Sequence, residues 1–156
     1  MRSSCSVKGN MLTLARDFNF EISEDVKRYF NQNNYNGKFR TFREGHFEVK
    51  DKAVEYLKSR GISETITRKY EITIKKDDEN VLVFPFKSPA NELKFIKYRN
   101  LNYEKGKGAK EWCEADCMPI LFGMNHCEDF TSLIITEGQI DGLTLSECGV
   151  KNAVKL

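Results

Sequence analysis

The sequence contains no apolar run near the roughly 18 residues that a membrane-spanning helix needs, and residues 1–10 lack the apolar stretch of a secretory signal. No membrane partner is therefore expected. It has no solenoid-type repeat, no long low-complexity tract and no Gly-x4-Gly-Lys-Ser/Thr phosphate loop. A P-loop ATPase is not expected within these residues. Histidine is scarce, with 2 in the chain; His46 stands alone, so no Ser-His-Asp or Cys-His nucleophile can be assembled from spacing. The 5 cysteines are odd in number, which favours a reducing compartment with free thiols or metal ligands over a disulfide framework. Cys113, Cys117, His126 and Cys127 follow Cys-x3-Cys-x8-His-Cys, a spacing outside the strong zinc signatures. Small buried hydrophobes are the plainer reading of those thiols.

With 156 residues, 40% of them apolar and 31% charged, the chain can bury one substantial core or two small ones. A net charge of +2 hides an uneven distribution. Residues 87–110 carry seven Lys/Arg against two Asp/Glu, whereas residues 111–156 carry two against eight. A basic segment followed by an acidic one suits a polyanion path beside a divalent-metal site.

Met11, Leu14, Ala15 and Phe18 recur at helical spacing, and a second helix capped by Ser23 carries Val26, Tyr29 and Phe30. Residues 32–45 have turn chemistry and read as a linker. A helical hairpin follows, with Ala53, Val54 and Leu57 on one face, Gly61 as a stop and Ser63 capping a helix that carries Ile66 and Tyr70. The period then changes. Residues 71–75, 81–87 and 93–99 predict a three-stranded antiparallel meander, in which Pro85 requires an edge, a bulge or a strand terminus. Strict alternation places Leu93, Phe95, Lys97 and Arg99 on one side, so that Lys97 and Arg99 form a cationic pair. Residues 100–131 carry no clear period. Leu133, Ile134 and Ile135, then Ile140, Leu143 and Leu145, then Ala153 and Val154 predict a β-α-β unit.

The segment with the sharpest chemistry is Glu137-Gly138-Gln139-Ile140-Asp141, where the buried strand hands over to the helix. A carboxylate at that point faces the crevice where open α/β sheets bind ligands, and Asp141 falls one helical turn later. Two such carboxylates can hold Mg²⁺ directly or through its waters, with Gly138 providing a turn without a Cβ clash.

The strand, glycine turn and helix resemble the first motif of the TOPRIM fold of primases, topoisomerases and some nucleases. Residues 53–57 and 60–66 resemble the helical hairpin that precedes this fold in phage-type primases. Val83-Phe84-Pro85-Phe86 and Lys94-Phe95-Ile96-Lys97-Tyr98-Arg99 resemble the strands that follow, and Ile120-Leu121-Phe122-Gly123 the short step before the first TOPRIM strand. Their order over residues 45–156 resembles the phage primase-helicase group that also contains mitochondrial Twinkle.

That resemblance implies an α+β chain: N-terminal helices and a zinc-ribbon remnant in 1–31, a linker in 32–45, a basic primase subdomain in 46–131 and the start of a TOPRIM subdomain in 132–156. It implies Glu137 as metal ligand or general base with Asp141 beside it, and Mg²⁺ or Mn²⁺ as cofactor. Lys97 and Arg99, with Lys94, Lys105 and Lys107, would contact nucleotide or DNA phosphates. The implied partners are a single-stranded DNA template, nucleoside triphosphates and a replicative helicase in the same or another chain, in the cytoplasm of a bacterial or phage-infected cell. Cys5 resembles the end of a zinc ribbon, but Arg2 stands where a Cys-x-x-Cys knuckle would begin; Zn²⁺ is expected only with a complete ribbon. The later Asp-x-Asp pair of the TOPRIM fold has no counterpart before residue 156, so the chain is expected to be an incomplete enzyme by itself. Two rival expectations are a TOPRIM nuclease or topoisomerase-like enzyme and a non-catalytic nucleic-acid-binding module.

Overall fold

The computed structural model describes residues 39–42, 45–129 and 131–155. The expected helices around residues 11–18 and 23–30, the ribbon remnant with Cys5 and most of the linker lie outside the described residues.

Helix α1, Asp51–Ser59, forms where the apolar spacing requires it, burying Ala53, Val54 and Leu57. Gly61, at φ 79, turns the chain. The Ser63 hydroxyl then accepts the Ile66 N–H at 3.3 Å and caps helix α2, Glu64–Lys69. Tyr70 is the residue that closes α2 rather than a member of it.

Four strands follow: β1 Thr73–Lys75, β2 Asp78–Lys87, β3 Leu93–Asn100 and β4 Glu111–Cys113, in an antiparallel sheet of order β1-β2-β3-β4. The meander thus has a fourth strand, and β2 begins inside the expected turn. Glu71 stays outside β1, with a φ of 51 that no strand residue adopts. Pro85 sits inside β2 opposite Ile96, but the last β1 partner on the other flank is Val83, so on that flank its position is an edge.

Strict alternation along β3 fails at one end. The pairing passes from Phe86↔Phe95 to Lys87↔Leu93, so Lys94 is an extra residue that shifts the register. Leu93 accordingly packs with Val83 and Ile96, whereas Phe95 joins the main core. Beyond the bulge the alternation holds as expected for Lys97 and Arg99.

The β-α-β unit consists of β5 Ile134–Thr136, helix α3 Gln139–Glu147 and β6 Ala153–Lys155, the strands being parallel; β5 is not the buried strand expected, because it pairs only with β6 in a two-stranded sheet among the described residues and leaves Ile134 and Ile135 about half exposed. Phe122 stitches it to the helical hairpin and the four-stranded sheet. Its backbone bridges Lys155 through two hydrogen bonds of 3.0 and 3.1 Å, while its ring packs with those of Tyr70, Phe84 and Phe86. Gly123 next to it adopts φ 88, which strains any other residue, and a Cβ there would lie a tight 3.0 Å from the Ala153 carbonyl. One core therefore joins α1, one sheet face and α3 through Leu57, Leu82, Phe84, Phe122 and Leu143, with Ile66 of α2 packed against it. The architecture is α+β with an antiparallel sheet.

Candidate phosphate and metal site

Lys97 and Arg99 project from β3 side by side, and both engage a carboxylate from the neighbouring strand. Glu111 pairs directly with Arg99 in the ladder, so its side chain lies on the same face. Lys97 Nζ lies 2.6 Å from Glu111 Oε2, and Arg99 Nη1 lies 3.3 Å from Glu111 Oε1. The three side chains are only 14%, 19% and 28% exposed, a setting in which charge interactions are screened far less than on open surface. Burial pushes the Glu111 carboxyl up, but the hydrogen bond and charge of Lys97 and the charges of Arg99 and Lys155 bring it below the usual carboxylate range. Glu111 and Lys155 are members of this cluster that residue patterns did not single out. No local period marks a three-residue strand, and Lys155 arrives from the far end of β6.

The cluster lies against the start of α3. Lys97 Nζ also donates to Gln139 Oε1 at 3.4 Å. Gln139 is 2% exposed, and its Nε2 is the buried side-chain atom without a hydrogen-bond partner among the described residues. Lys97 therefore ties the basic strand to the helix that begins two residues after Glu137.

Glu137 is exposed at the C-terminal end of β5, and Asp141 is exposed in the first turn of α3. Thr136 holds the intervening turn by donating its hydroxyl to the Gly138 carbonyl at 3.0 Å. At φ −117 and ψ 147, Gly138 has an extended backbone open to any residue, but a Cβ would come within 2.6 Å of the Asp141 carboxylate. The glycine makes room for Asp141 to fold back over the helix N-terminus, where a negative charge is favoured. Glu137 and Asp141 are hard oxygen donors, a set that fits Mg²⁺, which binds through one or two carboxylates and keeps its other positions for water and phosphate. Among the described residues no group of three or more His, Cys, Asp and Glu gathers for a metal ion.

The other expected contacts are dispersed. Lys94 sits at the β3 bulge and pairs with Glu92 at 2.9 Å. Lys105 and Lys107 are exposed in the loop before β4, with Lys107 paired to Glu104 at 2.6 Å. Cys113, Cys117, Cys127 and Cys148 form no disulfide. His126 packs against Tyr70 with the ring centroids 4.1 Å apart and the planes tilted by 50°, and burial followed by the charge of Lys69 lowers its pKa to about 4. It is a neutral packing residue at neutral pH. No helix among the described residues is long and apolar enough to cross a membrane.

No protein-family model matches the sequence. A primase homolog protein of Arabidopsis thaliana is 31% identical over 107 residues, covering 68% of this chain and 30% of that protein. The Aquifex aeolicus primase, solved with its zinc-binding and RNA polymerase domains, superposes with a TM-score of 0.56 at 20% identity, over 92% of this chain and 46% of that one. The RNA polymerase domain of Mycobacterium tuberculosis DnaG, in complex with a double-stranded DNA oligomer bearing a 6-nucleotide overhang, gives 0.55 at 17% identity over 67% and 46%. A DnaG catalytic domain bound to single-stranded DNA gives 0.53 at 17% identity over 67% and 45%. The chain thus spans under half the length of these solved proteins and 30% of the plant relative. Its fold is that of the matching part of the DnaG-type primase catalytic core.

Proposed function

We propose that this chain is part of a DNA primase, and that its β-α-β unit is the start of a TOPRIM subdomain like that of the phage primase-helicase and Twinkle group. The observation that carries the reading is the contact of Lys97 with Gln139, which sets a half-buried cationic pair beside the strand-to-helix turn that bears Glu137 and Asp141. Nucleotidyl transfer needs that juxtaposition of cations for phosphate with carboxylates for a metal. The substrates in this reading are nucleoside triphosphates on a single-stranded DNA template, and a replicative helicase, in the same or another chain, is the partner that exposes the template.

In the reaction the 3′-hydroxyl of one nucleotide attacks the α-phosphate of the next, a P–O bond forms, and pyrophosphate leaves. Lys97 and Arg99 hold the phosphates in line, Glu137 and Asp141 would be the residues to hold Mg²⁺ or Mn²⁺, and the hydroxyl proton passes to solvent or, where Glu137 serves as general base instead of ligand, to its carboxylate. Bound there, the metal would neutralise charge developing on the transferred phosphate. Further carboxylates from elsewhere in a complete primase would finish the site, and Zn²⁺ would belong to a complete ribbon.

Mn²⁺ tests the metal half directly, because it broadens the NMR signals of nearby nuclei. Substoichiometric Mn²⁺ should broaden Glu137, Gly138 and Asp141 first, with the effect abolished in Glu137→Gln. Broadening spread over surface acids, unchanged in the variant, would remove these two carboxylates from the site and favour a binding module without catalysis.

A further inference from the structure

Lys97 and Arg99 are not open cations awaiting a ligand. Each already has an anionic partner, and it is the same one, reached at 2.6 and 3.3 Å. A phosphate able to bridge the two cations carries the same pair of acceptor oxygens at similar spacing, and it would have to take the place of the Glu111 carboxylate. The strand that carries Glu111 is short and held on one flank. β4 has three residues, pairs with β3 at the sheet edge, and follows a loop in which Gly106 and Gly108 both adopt positive φ. Lys97 would keep its contact with Gln139 while Glu111 withdrew.

We infer that Glu111 is the internal counter-anion of this site: it occupies the cationic pair in the free protein and is displaced when phosphate oxyanions of a nucleotide or a nucleic-acid strand bind. This rests on the reading of Lys97 and Arg99 as phosphate-binding residues. The carboxylate lowers the affinity of the pair for phosphate, but it keeps two half-buried cations neutralised when no ligand is present. It also eases release, since a departing phosphate is replaced at once by a charge-matched group within the chain.

The experiment measures binding of inorganic tripolyphosphate, and separately of an oligo(dT) strand, to the wild-type chain and to Glu111→Gln. The sole tryptophan, Trp112, adjoins Glu111 and stacks on Tyr98 at 5.5 Å, so its emission reports movement of β4. Expected are at least tenfold tighter binding by E111Q and, in the wild type, a saturating change in Trp112 emission that follows occupancy. Tightening with tripolyphosphate alone would assign the site to nucleotide phosphates, and tightening with oligo(dT) alone to the strand; either supports the inference. Equal or weaker binding by E111Q would overturn it, because the carboxylate would then be ordering the cations rather than competing for them. Should E111Q fold poorly, the wild-type titration decides: constant Trp112 emission through saturation overturns the displacement. Failure of the wild type and E111Q to bind either probe would instead bring down the phosphate reading itself, and the inference with it.

Discussion

Replacing Glu71 with alanine is expected to destabilise the fold by about 3–5 kcal/mol, the usual cost of stranding one member of a buried ion pair. Its partner Lys87 is 3% exposed, and Lys87 Nζ reaches Glu71 Oε1 at 2.6 Å. The other Glu71 oxygen accepts the Phe47 N–H at 3.0 Å, which fixes the chain entering α1. Urea unfolding measures the destabilisation, and the double variant Lys87→Met with Glu71→Gln should recover most of it, since no buried charge is then left alone. The pair also gives the fold an acid-sensitive component. Burial works to raise the Glu71 carboxyl, but the hydrogen bonds from Lys87 and Phe47 and the charge of Lys87 leave it below its ordinary value. A carboxyl lowered in the folded state contributes stability above its unfolded value of about 4.3, and that contribution disappears as pH falls through the lower folded value. The stability of Glu71→Ala should therefore change less than that of the wild type below about pH 4.

A second large effect is expected when Lys97 and Arg99 are both changed to glutamine. Glutamine keeps a donor for Glu111 and removes the charge, so the variant tests charge rather than packing. Single-stranded DNA binding at low salt should weaken on the order of 100-fold, because exposed phosphate charge is least screened there. The slope of log affinity against log salt should fall by about 1 for each phosphate that a cation no longer neutralises. An unchanged slope would place the DNA path elsewhere, for instance along Lys105 and Lys107 in the exposed loop.

The parts of this fold that are legible in the sequence are those with local causes. The helical hairpin is announced by Ser63, Gly61 and the spacing of Ala53, Val54 and Leu57, and each does locally what its chemistry requires. The strand-to-helix turn at Glu137 is equally local, as is the pairing of Lys97 and Arg99 on one side of β3. What residue patterns do not show depends on partners distant in sequence. β4 is three residues held in place by pairing with β3, the Lys94 bulge exists only relative to Phe86 and Lys87, and Glu111 acquires its role from two strands meeting. Alternation misplaces Leu93 for the same reason, since it presumes an unbroken register. Gly138 shows a subtler limit: its backbone angle is open to any residue, and what a Cβ there would meet is the exposed end of the Asp141 side chain, a neighbour that only the folded turn supplies.

The central claim is that the carboxylates of the turn and the cations of β3 serve one triphosphate. The most direct test is calorimetric binding of ATP to the full chain with and without Mg²⁺, repeated with Glu137→Gln. A shared site predicts tighter ATP binding when Mg²⁺ is present, an enhancement abolished in E137Q, while the metal-independent binding through Lys97 and Arg99 remains. ATP binding that is indifferent to Mg²⁺, or an enhancement that survives in E137Q, would contradict it.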